Sequence, residues 1–190
     1  MKGLWQMWSG LLPAETCDEI IAEANKIPNQ HGVVGLMAGK SGVNKDVRRS
    51  NIRWINHNNE DFKDVFSFIE RKFHEANASA FGVDINFLPH LQFTEYDSKV
   101  VGHYDWHEDV FWESNNIYDR KLSMVIQLTN PANYEGGELE LQVPEPPNQE
   151  DLKRRGTIIV FPSFVKHRVT PVTAGLRNSL VAWIEGPSWR

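Results

Sequence analysis

From Ile85 onward the chain changes character, and this change limits the fold more than any other feature. The stretches LPHLQFTEY, KLSMVIQLT, GELELQV, GTIIVFP, HRVTPV and SLVAWIE are short, strand-like runs separated by turn signals. Two helical patterns precede them. The first runs from Ala14 to Lys26, after Pro13 and before Pro28, with Ile20, Ile21 and Ala24 as an apolar stripe and Glu15, Asp18 and Glu19 in its N-terminal half. In the second, Phe62, Val65, Phe66, Ile69, Phe73, Ala76 and Ala80 recur at helical spacing, and Gly82 is a stop signal. Helices followed by many short strands predict an α+β fold whose strands form a β-sandwich or jelly roll. Within LSMVIQL, Leu122, Met124, Ile126 and Leu128 alternate with Ser123, Val125 and Gln127, the pattern of a half-buried strand. VPEPPNQEDLKRRG reads as a polar, Pro-rich loop. HGVVGLMAGKSGVNK, with Gly32, Gly35, Gly39 and Gly42, reads as a surface turn or hairpin. At 190 residues with no internal repeat, the chain is expected to be a single domain over 1–190.

Composition excludes some functions. The formal charge of -5 argues against a nucleic-acid binder that relies on general phosphate attraction, although Lys45, Arg48, Arg49 and Arg53 could form a local basic patch. The one cysteine, Cys17, rules out an intramolecular disulfide and fits a reducing compartment. MKGLWQMWSGLLPAET is interrupted by Trp, Gln and Ser, so it lacks the apolar run of a secretory leader, and no stretch approaches a membrane span. A cytoplasmic monomer without nucleic-acid or membrane partners is expected.

The chemistry concentrates in HYDWHED, residues 103–109. As a helix it would place His103 and His107 on one face, as in zinc-binding H-E-x-x-H, but Tyr104 stands where that motif needs its Glu base. Gly102, Tyr104 and Trp106 favour an extended chain, whose side chains alternate. His107 and Asp109 then point one way and Glu108 the other; His103 and Asp105 share the first parity and stay open. Trp106, of opposite parity, is assigned to packing. A His and a carboxylate two residues apart grip two adjacent positions of an octahedral ion, and a His from another strand completes a 2-His-1-carboxylate face. His167, after the apolar run GTIIVFP, is the strongest candidate for that partner. Arg177, Ser179, Val181 and Trp183 share one face of a later strand, and an inward Arg opening an apolar strand implies an anion to bind.

With these residues in view, YDSKVVGHYDWHED resembles the Tyr…Gly-x-Tyr-x-x-His-x-Asp segment of 2-oxoglutarate and Fe(II)-dependent dioxygenases of the prolyl 4-hydroxylase group. RKLSMVIQLTNPANYEGGELEL, GTIIVFPSFVKHRV and GLRNSLVAWIEG are similar to that family's subsequent strands, in order, and DVRRSNIRWI to its lead-in strand. The resemblance implies a double-stranded β-helix, or jelly roll, supported by N-terminal helices. It implies Fe(II) on His107, Asp109 and His167, with 2-oxoglutarate and O2 as cosubstrates and ascorbate as an accessory. Arg177 would pair with the distal carboxylate of 2-oxoglutarate, and Tyr96 or Ser179 would add a hydrogen bond. Gln127 is a departure: some relatives have a cosubstrate-holding tyrosine there. For substrate, the resemblance implies a proline-containing peptide or protein, a proline pocket walled by Tyr104 and Trp183, Arg48 and Arg120 near the peptide groove, and a lid at 32–44. Two other readings remain: a relative acting on another side chain or small molecule, and a non-catalytic binding module.

Overall fold

The computed structural model describes residues 1–32, 34–37, 40–42, 44–112 and 117–189, with the backbone alone described for 34–37 and 40–42. The chain begins with strand β1 (Gln6–Trp8) and helix α1 (Ala14–Asn25), followed by β2 (Gln30–His31), the hairpin β3 (Val34–Met37) and β4 (Lys40–Gly42), β5 (Arg48–Arg49) and β6 (Asn51–Asn56). Helix α2 (Lys63–Ala76) widens over Asn77–Phe81 and ends at Gly82, whose N–H bonds the Asn77 carbonyl at 2.8 Å. The strand-rich half of the sequence forms β7 (His90–Asp97), β8 (His103–His107), β9 (Tyr118–Gln127), β10 (Tyr134–Gly136) and β11 (Leu139–Leu141). A short helix α3 (Gln149–Lys153), β12 (Ile158–Pro162), β13 (His167–Val169) and β14 (Val172–Pro187) complete it.

Among the described residues, the large sheet has the order β1-β12-β9-β14-β7-β6-β2, with β10 also paired to β14. The small sheet has the order β11-β13-β8-β5. Their pairings are antiparallel. Two such sheets face to face, with helices behind the larger one, make three layers and two cores. Ile20, Phe62, Phe66, Ile69 and Phe73 of the helical layer pack against Leu91, Phe93, Met124, Ile126, Leu180 and Ala182 of the large sheet. Tyr96, Val125, Leu141, Ile159, Phe161 and Val169 fill the space between the sheets. This is the jelly roll with supporting helices that the element order implied.

The layering corrects one expectation. The LSMVIQL strand is not half-buried: Leu122, Met124, Ile126 and Leu128 face the helices, while Ser123, Val125 and Gln127 face the interior between the sheets, and all seven are buried. The alternation was real, but its polar face lines the barrel rather than meeting water. The presumed loop 143–156 contains α3, capped by Asn148, whose side chain accepts from the Glu150 N–H at 2.8 Å. The last strand starts at Val172, so the valine of TPV belongs to it. No described helix is long and apolar enough to cross a membrane.

Candidate active site

The HYDWH strand does not alternate regularly. On its partner β13, His167 lies opposite His107 but Val169 lies opposite Tyr104, a shift of one residue that marks a β-bulge. A bulge re-aims the side chains that follow it. Here it brings Tyr104 onto the side of His107, and the two rings stack with centroids 3.5 Å apart and planes 13° off parallel. Parity paired His107 with Asp109 correctly but placed His103 and Asp105, rather than Tyr104, on their side. The His103 ring nitrogens lie 2.8 Å from the Val101 carbonyl and 3.2 Å from that of Asp46, and the Asp105 carboxylate accepts from the Trp106 N–H. Trp106 is not packed inside; it is 37% exposed, with the Arg168 guanidinium 4.7 Å from its ring centroid. Glu108 accepts from the Trp112 indole at 2.8 Å.

The turn before β8 fixes where this strand lies. A Cβ on Gly102 would fall 2.7 Å from the Asp97 nitrogen and 2.8 Å from the Tyr96 Cα, both backbone atoms that cannot yield cheaply. Glycine thus allows β8 to start directly against β7.

His107, Asp109 and His167 come together, with one ligating atom from each within 4.8 Å of the others. The His107 Nε2 is 3.8 Å from Asp109 Oδ1, and the His167 Nε2 is 3.5 Å from Asp109 Oδ2. Both imidazoles have a defined tautomer. His107 Nδ1 lies 2.8 Å from the Asp105 carbonyl and His167 Nδ1 2.9 Å from that of Val165. A carbonyl only accepts, so Nδ1 carries the proton and Nε2 presents a lone pair to the centre. Burial, then the neighbouring His167, holds His107 far below its usual range, at about 3. Asp109 stays below the ordinary carboxylate range: burial pushes it up, but His167, His107, Arg120 and the Ser123 hydrogen bond together outweigh that. Two imidazole Nε2 atoms and a carboxylate are the donor set that a divalent ion such as Fe(II) takes. The residues fit the metal.

Arg177 opens the other half of the site. It is only 3% exposed, and its Nε and Nη1 have no hydrogen-bond partner among the described residues. Its guanidinium stands 5.6 Å from the Tyr96 ring centroid, and its Cδ would lie 2.9 Å from a Cβ placed on Gly137. Val125, Gln127, Tyr134, Gly137, Leu139 and Thr157 line the same cavity. A buried cation without a counterion is costly unless an anion completes it, and a dicarboxylate cosubstrate would do so. Ser179, also buried, sits between Thr94 and Gln127 in the strand register. Tyr96 is buried, which raises its phenol above the usual range.

The remaining candidates lie around this centre. Trp183 is buried, with the Arg120 guanidinium 3.9 Å from its ring centroid and Trp54 at 6.0 Å, and its indole N–H has no hydrogen-bond partner among the described residues. Arg120 lies close enough to Asp109 and Glu185 to feel both charges. Arg48 is buried, donates to Ser50 Oγ and Gln92 Oε1 at 2.8 Å each, and lies 4.5 Å from the Tyr104 ring centroid. Burial pushes the Tyr104 phenol up to about 12. Side chains at 33–43 lie outside the described residues, so the expected lid at 32–44 is seen here as a backbone hairpin, Val34–Met37 against Lys40–Gly42.

Sequence reasoning missed three residues. Tyr134 accepts from Gln127 Nε2 at 3.2 Å. Ser123 donates to Asp109 Oδ2 at 2.6 Å, and Ser163 lies 2.9 Å from Ser123. Ser123 had a signal, its shared strand face with Gln127; Tyr134 and Ser163 had none.

A double-stranded β-helix with a His-Asp-His centre and a buried Arg on the same interior defines a class of metal-dependent oxygenase. Residues 91–185 match the model of the 2OG-Fe(II) oxygenase superfamily. The chain belongs to that superfamily, whose members require Fe(II), 2-oxoglutarate and O2. It is 40% identical over 88 residues to a PKHD-type hydroxylase of Synechococcus sp. (strain CC9311), covering 46% of this chain and 39% of that protein. It is 30% identical over 115 residues to a PKHD-type hydroxylase of Gloeothece citriformis, covering 60% and 44%. The matches thus span about two fifths of those relatives' length. The fold is similar to a Pseudomonas putida prolyl-4-hydroxylase, with TM-score 0.73, 20% identity and coverage of 97% and 94%. It is also similar to a Trichoplax adhaerens prolyl hydroxylase solved with a hypoxia inducible factor peptide fragment, with TM-score 0.71, 17% identity and coverage of 95% and 83%.

Proposed function

We propose that this chain hydroxylates proline residues in a peptide or protein, as a peptidyl-prolyl 4-hydroxylase that couples the reaction to conversion of 2-oxoglutarate to succinate and CO2. The observation that carries the reading is the pairing of the His107–Asp109–His167 group with the buried Arg177 guanidinium, whose Nε and Nη1 lack a partner among the described residues, in one interior. The name PKHD-type hydroxylase supports hydroxylation, and the name prolyl-4-hydroxylase of a structural relative supports proline as the target.

When bound, iron with 2-oxoglutarate and O2 supplies the oxidising chemistry that places a hydroxyl on an unactivated carbon. The chain supplies the positions. His107 and His167 would offer Nε2 to the ion, and Asp109 its carboxylate. Arg177 anchors the distal carboxylate of 2-oxoglutarate, with Tyr96 and Ser179 within the same interior. Gln127 acts indirectly. Its amide donates to the Thr129 carbonyl and to the Tyr134 oxygen, so the Tyr134 O–H is left to donate toward the carboxylate. Trp183 and Tyr104 wall the target ring, Arg120 lies on Trp183, and Arg48 braces Tyr104 from within the wall. The buried, free Cys17 supports a reducing, cytoplasmic setting. A monomer and ascorbate as accessory reductant complete the reading.

The test is anaerobic loading with Fe(II) and 2-oxoglutarate, then air and a panel of proline peptides, with mass spectrometry and succinate assay. One added oxygen on proline with matching succinate is expected. Succinate without any modified proline peptide would move the reading to another substrate of the superfamily, and no succinate at all would overturn catalysis.

A further inference from the structure

The carboxylate at the centre is held by two serines that none of the chemistry above requires. Ser123 and Ser163 are both fully buried, and Asp109 is 6% exposed. Ser123 Oγ lies 2.6 Å from Asp109 Oδ2 and 2.9 Å from Ser163 Oγ. The proton order follows from counting. An ionised carboxylate only accepts, so the single Ser123 hydrogen goes to Asp109. Ser123 must then accept from Ser163, whose hydroxyl is the donor. Ser163 is itself fixed by the backbone: its carbonyl accepts the Asp109 N–H at 2.8 Å, and its N–H donates to the Lys121 carbonyl at 3.0 Å. The relay therefore ties the end of β8 to β9 and to the end of β12. It engages Oδ2 and leaves Oδ1, on the His107 side, with no hydrogen-bond donor among the described residues.

We infer that the Ser163–Ser123 hydroxyl relay is a positioning device that fixes the orientation of the Asp109 carboxylate toward His107 and His167 by holding its Oδ2. Ser123 and Ser163 touch neither metal nor substrate; they act through Asp109. The inference rests on the metal-site reading of His107, Asp109 and His167. A charge-assisted hydrogen bond at one oxygen opposes rotation of the carboxylate about its stem. Partners of this kind tune metal affinity by roughly 10- to 100-fold.

The experiment uses the full chain, stripped of metal, titrated with Co(II) in the absence of 2-oxoglutarate and followed by visible absorption, with metal-free thermal stability measured alongside. Ser123→Ala should weaken Co(II) binding by about 10-fold or more and change the absorption spectrum, because the freed carboxylate no longer holds one orientation. Ser163→Ala should give a smaller loss in the same direction, since the Ser123 bond to Asp109 survives. Ser123→Thr, which keeps the hydroxyl, should restore affinity. Wild-type affinity and spectrum in Ser123→Ala, with or without a drop in metal-free stability, would mean the serines are only packing. No Co(II) binding by the wild type would overturn the metal reading itself, and the relay with it, whereas tight wild-type binding with an indifferent Ser123→Ala would overturn the relay alone.

Discussion

Arg177→Met is the substitution whose two effects should have opposite signs. Methionine keeps an unbranched apolar stem where the Arg177 Cδ approaches Gly137, so packing changes little. It removes a cation that is 3% exposed with Nε and Nη1 unpartnered among the described residues. The main favourable interaction given up is the cation-π attraction to Tyr96, whose ring centroid lies at 5.6 Å, and it is worth about 0.5–1 kcal/mol. Relief of the uncompensated charge is larger, so the ligand-free variant should be more stable than the wild type by about 1–3 kcal/mol. Cosubstrate should do the reverse. With Mn(II) bound to prevent turnover, 2-oxoglutarate at about 100 times its Kd stabilises the wild type by about 2.7 kcal/mol. Losing a buried charge pair costs about 2–5 kcal/mol of binding, a weakening of about 30-fold to several thousand-fold. At the same concentration the variant should therefore gain under about 1 kcal/mol. Denaturant melts of both proteins with and without Mn(II) and 2-oxoglutarate read all four values. A ligand-free variant less stable than wild type, together with unchanged cosubstrate stabilisation, would refute both the buried-charge argument and the assignment of Arg177 to the carboxylate.

Three further outcomes follow from the same geometry. Gly102→Ala should destabilise the chain by about 1–3 kcal/mol and also weaken metal binding, because its Cβ meets the backbone of Tyr96 and Asp97 at the start of the strand carrying His107; unchanged Co(II) affinity would show that this turn does not place the centre. Phe66→Ala, buried in the core between α2 and the large sheet, should cost about 3–5 kcal/mol in urea melts; a loss under about 1 kcal/mol would mean the helical layer carries little of the stability. The metal-free protein should lose stability on acidification through His107, whose folded value of about 3 lies below its unfolded value of about 6.5. That stability is complete above about pH 6.5 and is lost as pH falls from there toward about 3, by up to about 1.4 kcal/mol per unit. Between about pH 7.5 and 5.5 the wild type should lose about 1 kcal/mol more than His107→Phe; equal losses would contradict the buried neutral imidazole.

What the sequence disclosed, and what it hid, follows from which interactions are local. The helices were legible because Ile20, Phe66, Ile69 and Phe73 repeat at the period of the structure they form. The strands were legible as runs, yet the burial of LSMVIQL was misjudged, because alternation tells that a strand has two different faces and not what each face meets. Only the third layer, the small sheet, turns Ser123 and Gln127 inward. The bulge at β8 was invisible for the same reason. It is defined by the register against β13, some sixty residues downstream by the numbering of His107 and His167, and it overrides the parity of HYDWHED. The serine relay goes one step further: Ser163 reaches Asp109 only through strand ends that no local pattern joins. Residues that would meet the metal or the cosubstrate announce themselves by type, as His, Asp and a buried Arg do. Residues that aim those groups are ordinary in type and informative only in position, so they are the ones a structure adds, and Ser123 is where the distinction can be measured.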